Sequence, residues 1–183
     1  MKAITRFLFF VGIATCATGL RAEDFAKPPI TSEIKLLYGS NDVPTNEGSL
    51  RIIKAAVGTS TAHGYETYTS FLLPKSSAEA WQQVLVDQPD QDFPSFRTEE
   101  SADSSIQAIG IYRGLNGNIF VVQATKEGLS SPELYLKASH VVFKVFRFNE
   151  NTDVARFKQV AKFQTEATYI DANYAIVKEF FRK

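Results

Sequence analysis

A chain of 183 residues with twenty acids, twenty Lys or Arg and 44% hydrophobic residues is long enough for one domain with its own core. Its bases are balanced by acids and nowhere clustered, which excludes the Lys- and Arg-lined surface that nucleic-acid binding needs. Fifteen Phe and seven Tyr against one Trp, with abundant Val, Ile and Thr, favour strands, because aromatic and β-branched side chains fit a pleated, half-buried surface.

The N-terminus carries Lys2 and Arg6, then the apolar run Phe7 to Thr15, then small residues and Leu20-Arg21-Ala22 before Glu23. A positive start, a short apolar centre and a small-residue exit make a cleavable signal peptide over residues 1–22 and predict a periplasmic protein. The uncharged stretch is shorter than the ~20 apolar residues of a spanning helix. Ile13-Ala14-Thr15-Cys16 loosely matches a lipoprotein box, but Thr15 is bulky for its position, so plain cleavage that discards Cys16 is expected. Removing 22 residues from 183 leaves 161, and Lys2, Arg6 and Arg21 go with them. Seventeen bases then face twenty acids, a formal net of −3, and the mature chain has no cysteine, so its core alone must hold it.

Residues 23–49 are rich in Pro, Ser, Asn, Asp and Gly and read as an N-terminal arm with at most one short strand or helical turn. From residue 50 onward the chain is patterned as one β-rich domain. Leu50 to Val57 is an apolar strand candidate, and Gly64 to Leu73 alternates, with Glu66, Tyr68, Ser70 and Leu72 on one face. Ser76 and Glu79 have capping-box spacing, which predicts a short helix from about Ser77 to Val86, with a strand over Trp81 to Val86 as the alternative. Residues 87–105, broken by Pro89 and Pro94, are expected to form a long surface loop. Ile106 to Tyr112 and Ile119 to Thr125 flank Asn116-Gly117, a dipeptide that readily takes the positive φ of a tight hairpin. Leu134 to Phe148 is the longest strand candidate, and its alternation slips near Val145-Phe146, which predicts a bulge. Ala155 to Gln164 returns as a strand. Ile170, Tyr174, Val177 and Phe181 lie at helical spacing, with Asp171 early and Lys178 late, and predict a terminal amphipathic helix packing on a sheet.

No catalytic constellation stands out. His63 and His140 lie on different segments, and H-E-x-x-H and G-x-S-x-G are both absent. Ser32-Glu33-Ile34-Lys35 matches S-x-x-K, but without S-D-N or K-T-G partners it reads as coincidence. A non-enzymatic protein is expected, with no required cofactor. Asn149, Asn151 and Asp153 alternate in a turn, as ligands of a structural cation such as calcium or sodium do; Asp87, Asp90 and Asp92 are the rival set. In the loop from Gly128 to Tyr135, Ser130, Ser131 and Tyr135 offer hydroxyls and a flat ring to a partner's cleft.

The order of these features, together with IQAIGIYRGLNGNIFVVQATKEG, SHVVFKVFRFNENTD and DANYAIVKEFF, resembles the carbapenem intrinsic resistance proteins, in particular their CarG-like members. These are exported proteins that protect carbapenem producers from their own antibiotic. The resemblance implies a fold related to periplasmic inhibitors of invertebrate-type lysozyme: a sandwich of two stacked antiparallel sheets with short helices. It also implies a homodimer, a bound cation and self-protection against a carbapenem, which the missing hydrolase motifs make non-hydrolytic. Direct binding of the drug or shielding of a cell-wall target protein are the routes this leaves. The alternative function is lysozyme inhibition. There a Ser-Gly-Ser-Tyr-like loop enters the lysozyme cleft; the matching segment here, Leu129 to Tyr135, has Pro132 and Glu133 in place of the small tip.

Overall fold

The computed structural model describes residues 27–46, 48–61, 63–87, 91–150 and 154–180. The signal segment and Cys16 lie outside the described residues. Twelve strands and two α-helices are described: β1 (Ile30–Glu33), β2 (Gly39–Pro44), β3 (Ser49–Val57), β4 (Tyr65–Leu72), β5 (Gln82–Asp87), β6 (Asp92–Phe93), β7 (Phe96–Arg97), β8 (Glu99–Glu100), β9 (Ser105–Gly114), β10 (Ile119–Glu127), α1 (Glu133–Leu136), β11 (His140–Asn149), β12 (Arg156–Gln164) and α2 (Ala172–Phe180), with one 3-10 turn (Leu115–Gly117) between β9 and β10. No helix among the described residues is long and apolar enough to cross a membrane.

The mainly β expectation holds, but the two separate stacked sheets do not. The strands form one curled sheet in the order β1-β9-β10-β11-β12-β5-β4-β3-β2. The curl has its corner in β5. Its first half, Gln82 to Val84, pairs antiparallel with β4, and its second half, Leu85 to Asp87, pairs parallel with β12. A strand that changes partner along its length turns the sheet through a corner, so two halves face each other without separating. One parallel pair therefore interrupts an otherwise antiparallel fold.

Between the facing halves lies the first core. Leu50, Ile52, Val84 and Val86 from one half meet Val121, Phe146 and Phe157 from the other. The Phe96 ring stands edge-on to Phe146 at 5.1 Å and to Phe157 at 5.3 Å. A second core lies on the opposite face of β9 to β12, where Val122, Val141, Phe143 and Val145 are covered by Ala172, Ala175 and Ile176 of α2. The middle strands β10 and β11 are thus buried on both faces, which is why they read as nearly unbroken apolar runs.

Several expectations are corrected. The arm contributes two strands, β1 at one edge of the sheet and β2 at the other. Instead of a helix over residues 77–86, Ser76 caps only a turn, its Oγ accepting the Ala78 amide at 3.3 Å, and the alternative strand is the one formed, as β5 over residues 82–87. Val84 and Val86 are buried on one face there, and tertiary burial of β-branched residues outweighs a local cap. The 87–105 loop holds the short strands β6, β7 and β8. The strand expected from Leu134 begins at His140, after the turn of helix α1.

The terminal helix is present but rotated. Ile170, Tyr174 and Val177 are 44, 51 and 56% exposed, while Ala172, Ala175 and Ile176 face the sheet. Small alanines let the helix backbone approach the strands closely; the bulky stripe faces out. Phe181 lies outside the described residues. Asp171 precedes the helix and caps it, its Oδ1 accepting the Tyr174 amide at 2.9 Å.

Two expectations are met in detail. Asn116 and Gly117 adopt φ of 58° and 77° in the β9–β10 turn, and the β11–β12 register shifts between Val145 and Phe146. Because Phe146 is fully buried between the halves, Phe146→Ala is expected to lower unfolding free energy by roughly 3–5 kcal/mol, measured by urea denaturation.

Candidate functional site

At one end of the curled sheet the loop after β10 is anchored by a buried lysine. Lys126 is 2% exposed, and its Nζ donates to the carbonyls of Leu134 at 2.5 Å, Lys137 at 3.0 Å and Ile170 at 2.8 Å. All three ammonium protons are thereby used, which is what allows a lysine to be buried without a direct carboxylate. Burial pushes its pKa down, and the nearby Asp171 pulls it part of the way back. The clasp joins β10, α1 and the segment leading into α2.

Within that loop Ser130 and Ser131 are exposed. Tyr135 is half-buried, its ring 5.2 Å from that of His63 and its carbonyl accepting the Ser104 hydroxyl at 2.8 Å. The loop thus presents two serines at its tip and packs its tyrosine inward. Glu133 is paired with Lys137 at 2.6 Å. His140, far along the chain, donates from Nδ1 to the Thr165 carbonyl at 3.0 Å.

Of the suggested cation ligands, Asn149 ends β11 opposite Arg156; Asn151 and Asp153 lie outside the described residues. In the rival set Asp90 also lies outside them, and Asp87 and Asp92 both face Arg156, at 3.8 and 3.7 Å. Among the described residues no three His, Cys, Asp or Glu side chains converge as a metal site.

The densest polar chemistry lies at the mouth of the half-barrel, between its two edges. Residues 34–38 run across this opening from β1 to β2. Ile34 and Leu36 turn down onto the core, the Ile34 amide bonds the Ile111 carbonyl at 2.8 Å, and Asn41 Oδ1 accepts the Leu37 amide at 2.9 Å. Beneath this strap is a cleft of about 360 Å³ lined by Glu33 to Leu37, Lys54, Tyr68 and Ile109 to Ile111.

Behind the cleft sits Glu66. Its carboxylate accepts the hydroxyls of Tyr38 and Tyr68, each at 2.5 Å, and pairs with Lys54 Nζ at 3.0 Å. The Lys54 ammonium also lies over the Tyr38 ring, 4.7 Å from its centroid. Burial pushes the Glu66 carboxyl up, but the bonds from Tyr38, Tyr68 and Lys54 together outweigh it and hold the group below 4.5. Burial and the same carboxylate push the Tyr68 phenol well above its usual range. Alternation along β4 already puts Glu66 and Tyr68 on one face. What no local pattern reveals is the cross-strand register Lys54 opposite Tyr68 and the return of Tyr38 along the arm.

A mainly β domain whose single sheet curls into a half-barrel, with a helix on its outer face and a strap across its mouth, is the class that fold and site define. The crystal structure of CarG has this fold: the two superpose with a TM-score of 0.63 over 79% of this chain and 93% of that one, at 15% sequence identity. At that identity the likeness is one of fold. No protein-family model and no curated protein sequence matches the chain.

Two outcomes are expected here. Lys126→Met leaves three carbonyls without their donor and is expected to cost at least about 2 kcal/mol, with faster amide exchange at Leu134 to Lys137. The Glu66 pKa is lower folded than unfolded, so its stabilisation is complete above about pH 4.5 and is lost as pH falls through the folded value. Urea midpoints should therefore fall more steeply below pH 4.5 in the parent protein than in Glu66→Gln; equal slopes would contradict this.

Proposed function

We propose that this protein is an exported, non-enzymatic protector that gives its cell resistance to a carbapenem antibiotic without hydrolysing it. The observation that carries the reading is the fold, which matches that of CarG across most of both chains; the order of the segments from IQAIGIY to DANYAIVKEFF is what suggests the carbapenem intrinsic resistance proteins. The N-terminal signal pattern supports action in the periplasm, where carbapenems reach their cell-wall targets. A homodimer is the proposed assembly, and Asn149, Asn151 and Asp153 are the proposed ligands of a structural cation.

One observation favours a second reading, inhibition of invertebrate-type lysozyme through the loop that bears Ser130 and Ser131. Ser130 and Ser131 are exposed at its tip, and the charge of Glu133, which would repel catalytic carboxylates, is partly offset by Lys137 at 2.6 Å on the solvent-exposed surface. The two readings separate cleanly. Expression with the signal in a carbapenem-sensitive bacterium should raise survival severalfold while drug concentration in the medium, followed by absorbance, stays constant. Drug loss dependent on the protein would overturn the non-hydrolytic mechanism. Unchanged survival, with stoichiometric slowing of purified lysozyme, would favour the second reading.

A further inference from the structure

The cleft beneath the strap has the composition of a ligand site. Its volume, about 360 Å³, falls in the range of small-molecule pockets, which are largely apolar with a few placed polar groups. Ile34, Leu36, Ile109 and Ile111 supply the apolar walls, and Lys54 reaches in from β3. The Lys54 side chain is only 18% exposed, and one of its ammonium protons is directed to Glu66. An ammonium has three protons, so the group can serve an acceptor in the cleft while keeping its carboxylate.

Charge decides what kind of acceptor. Glu66 retains the two tyrosine hydroxyls whether or not Lys54 shifts, so it stays ionised a few ångströms behind the ammonium. An anionic ligand would be drawn to Lys54 but repelled by Glu66 a few ångströms farther back, so the carboxylate offsets part of the attraction and leaves less to set against the cost of taking the anion's charge out of water. Glu33 and Lys35 at the rim are of opposite sign and add no net attraction. A cation would meet the Lys54 ammonium head-on. A neutral carbonyl oxygen meets neither penalty and gains a charge-assisted hydrogen bond.

We propose that the cleft bounded by Lys54, Tyr68, Ile109, Ile111 and the 34–37 strap binds small uncharged molecules that carry a carbonyl acceptor on a compact apolar body. The site does not depend on the protective function proposed above. Three probes with one ring and different heads test it: cyclohexanone, cyclohexanecarboxylate and cyclohexylammonium, titrated into the 15N-labelled protein. Cyclohexanone is expected to shift the amides of Lys54, Tyr68, Ile109 and Ile111 saturably, at least fivefold more tightly than either charged probe. Lys54→Met, which keeps the apolar stem, should weaken the ketone about tenfold and remove its advantage. If that variant does not fold, Ile109→Trp, which fills the cleft, should abolish the shifts in a protein whose remaining spectrum is unchanged. Absence of saturable shifts at these residues, tighter binding of a charged probe, or unchanged ketone affinity in a folded Lys54→Met or Ile109→Trp protein would overturn the proposal.

Discussion

The whole architecture depends on the division of labour within β5. Three of its residues hydrogen-bond to β4 and the next three to β12, so six residues carry the continuity of the curled sheet. The alternation of Val84 and Val86 keeps one face of this strand buried through the change of partner. If β5 paired along its whole length with either neighbour, the halves would not be held in one sheet at this corner. The first core exists because the corner sets them face to face, with Phe96 wedged against Phe146 and Phe157.

That geometry also explains why the protein needs a helix. Curling uses only one face of β9 to β12; the opposite face is equally apolar and would be exposed without α2. Phe143 shows the solution, with Phe163 stacked at 5.2 Å and Phe180 edge-on at the same distance. The helix start is tied back to β9 through the Ser105 amide on Asp171 Oδ2 at 2.9 Å. Lys126 fastens the neighbouring loop to the same region, so helix placement and loop placement are coupled.

Features governed by neighbours in sequence were the legible ones: the Asn116-Gly117 turn, the slip at Val145-Phe146, and the paired apolar runs of β9 and β10. Each depends on backbone preference or side-chain period within a few residues. Helix α2 was legible as an element and misread in its orientation, because Tyr174 and Val177 outweigh Ala172 and Ala175 in hydrophobicity although close packing on a sheet selects the alanines. At residues 77–86 a cap signal competed with the burial of Val84 and Val86, and burial was decided by β12, some seventy residues away. The mouth site was half legible. Glu66 and Tyr68 share a face by simple alternation, whereas Lys54 and Tyr38 arrive through register and through a crossing of the sheet edges that leaves no periodic trace.

The strap across the mouth has a kinetic consequence. Residues 34–38 reach their place only when β1 has paired with β9, and Thr31 bonds Arg113 across 82 residues of chain. Hairpins such as β3–β4 and β9–β10 close short loops and form early, whereas this closure carries a long-loop entropy cost before any contact rewards it. Closing the mouth therefore carries a non-local cost that those hairpins do not, as does the pairing of β5 with β12. The strap that closes it is held by the core contacts of Ile34 and Leu36 and by the Tyr38 hydroxyl on Glu66.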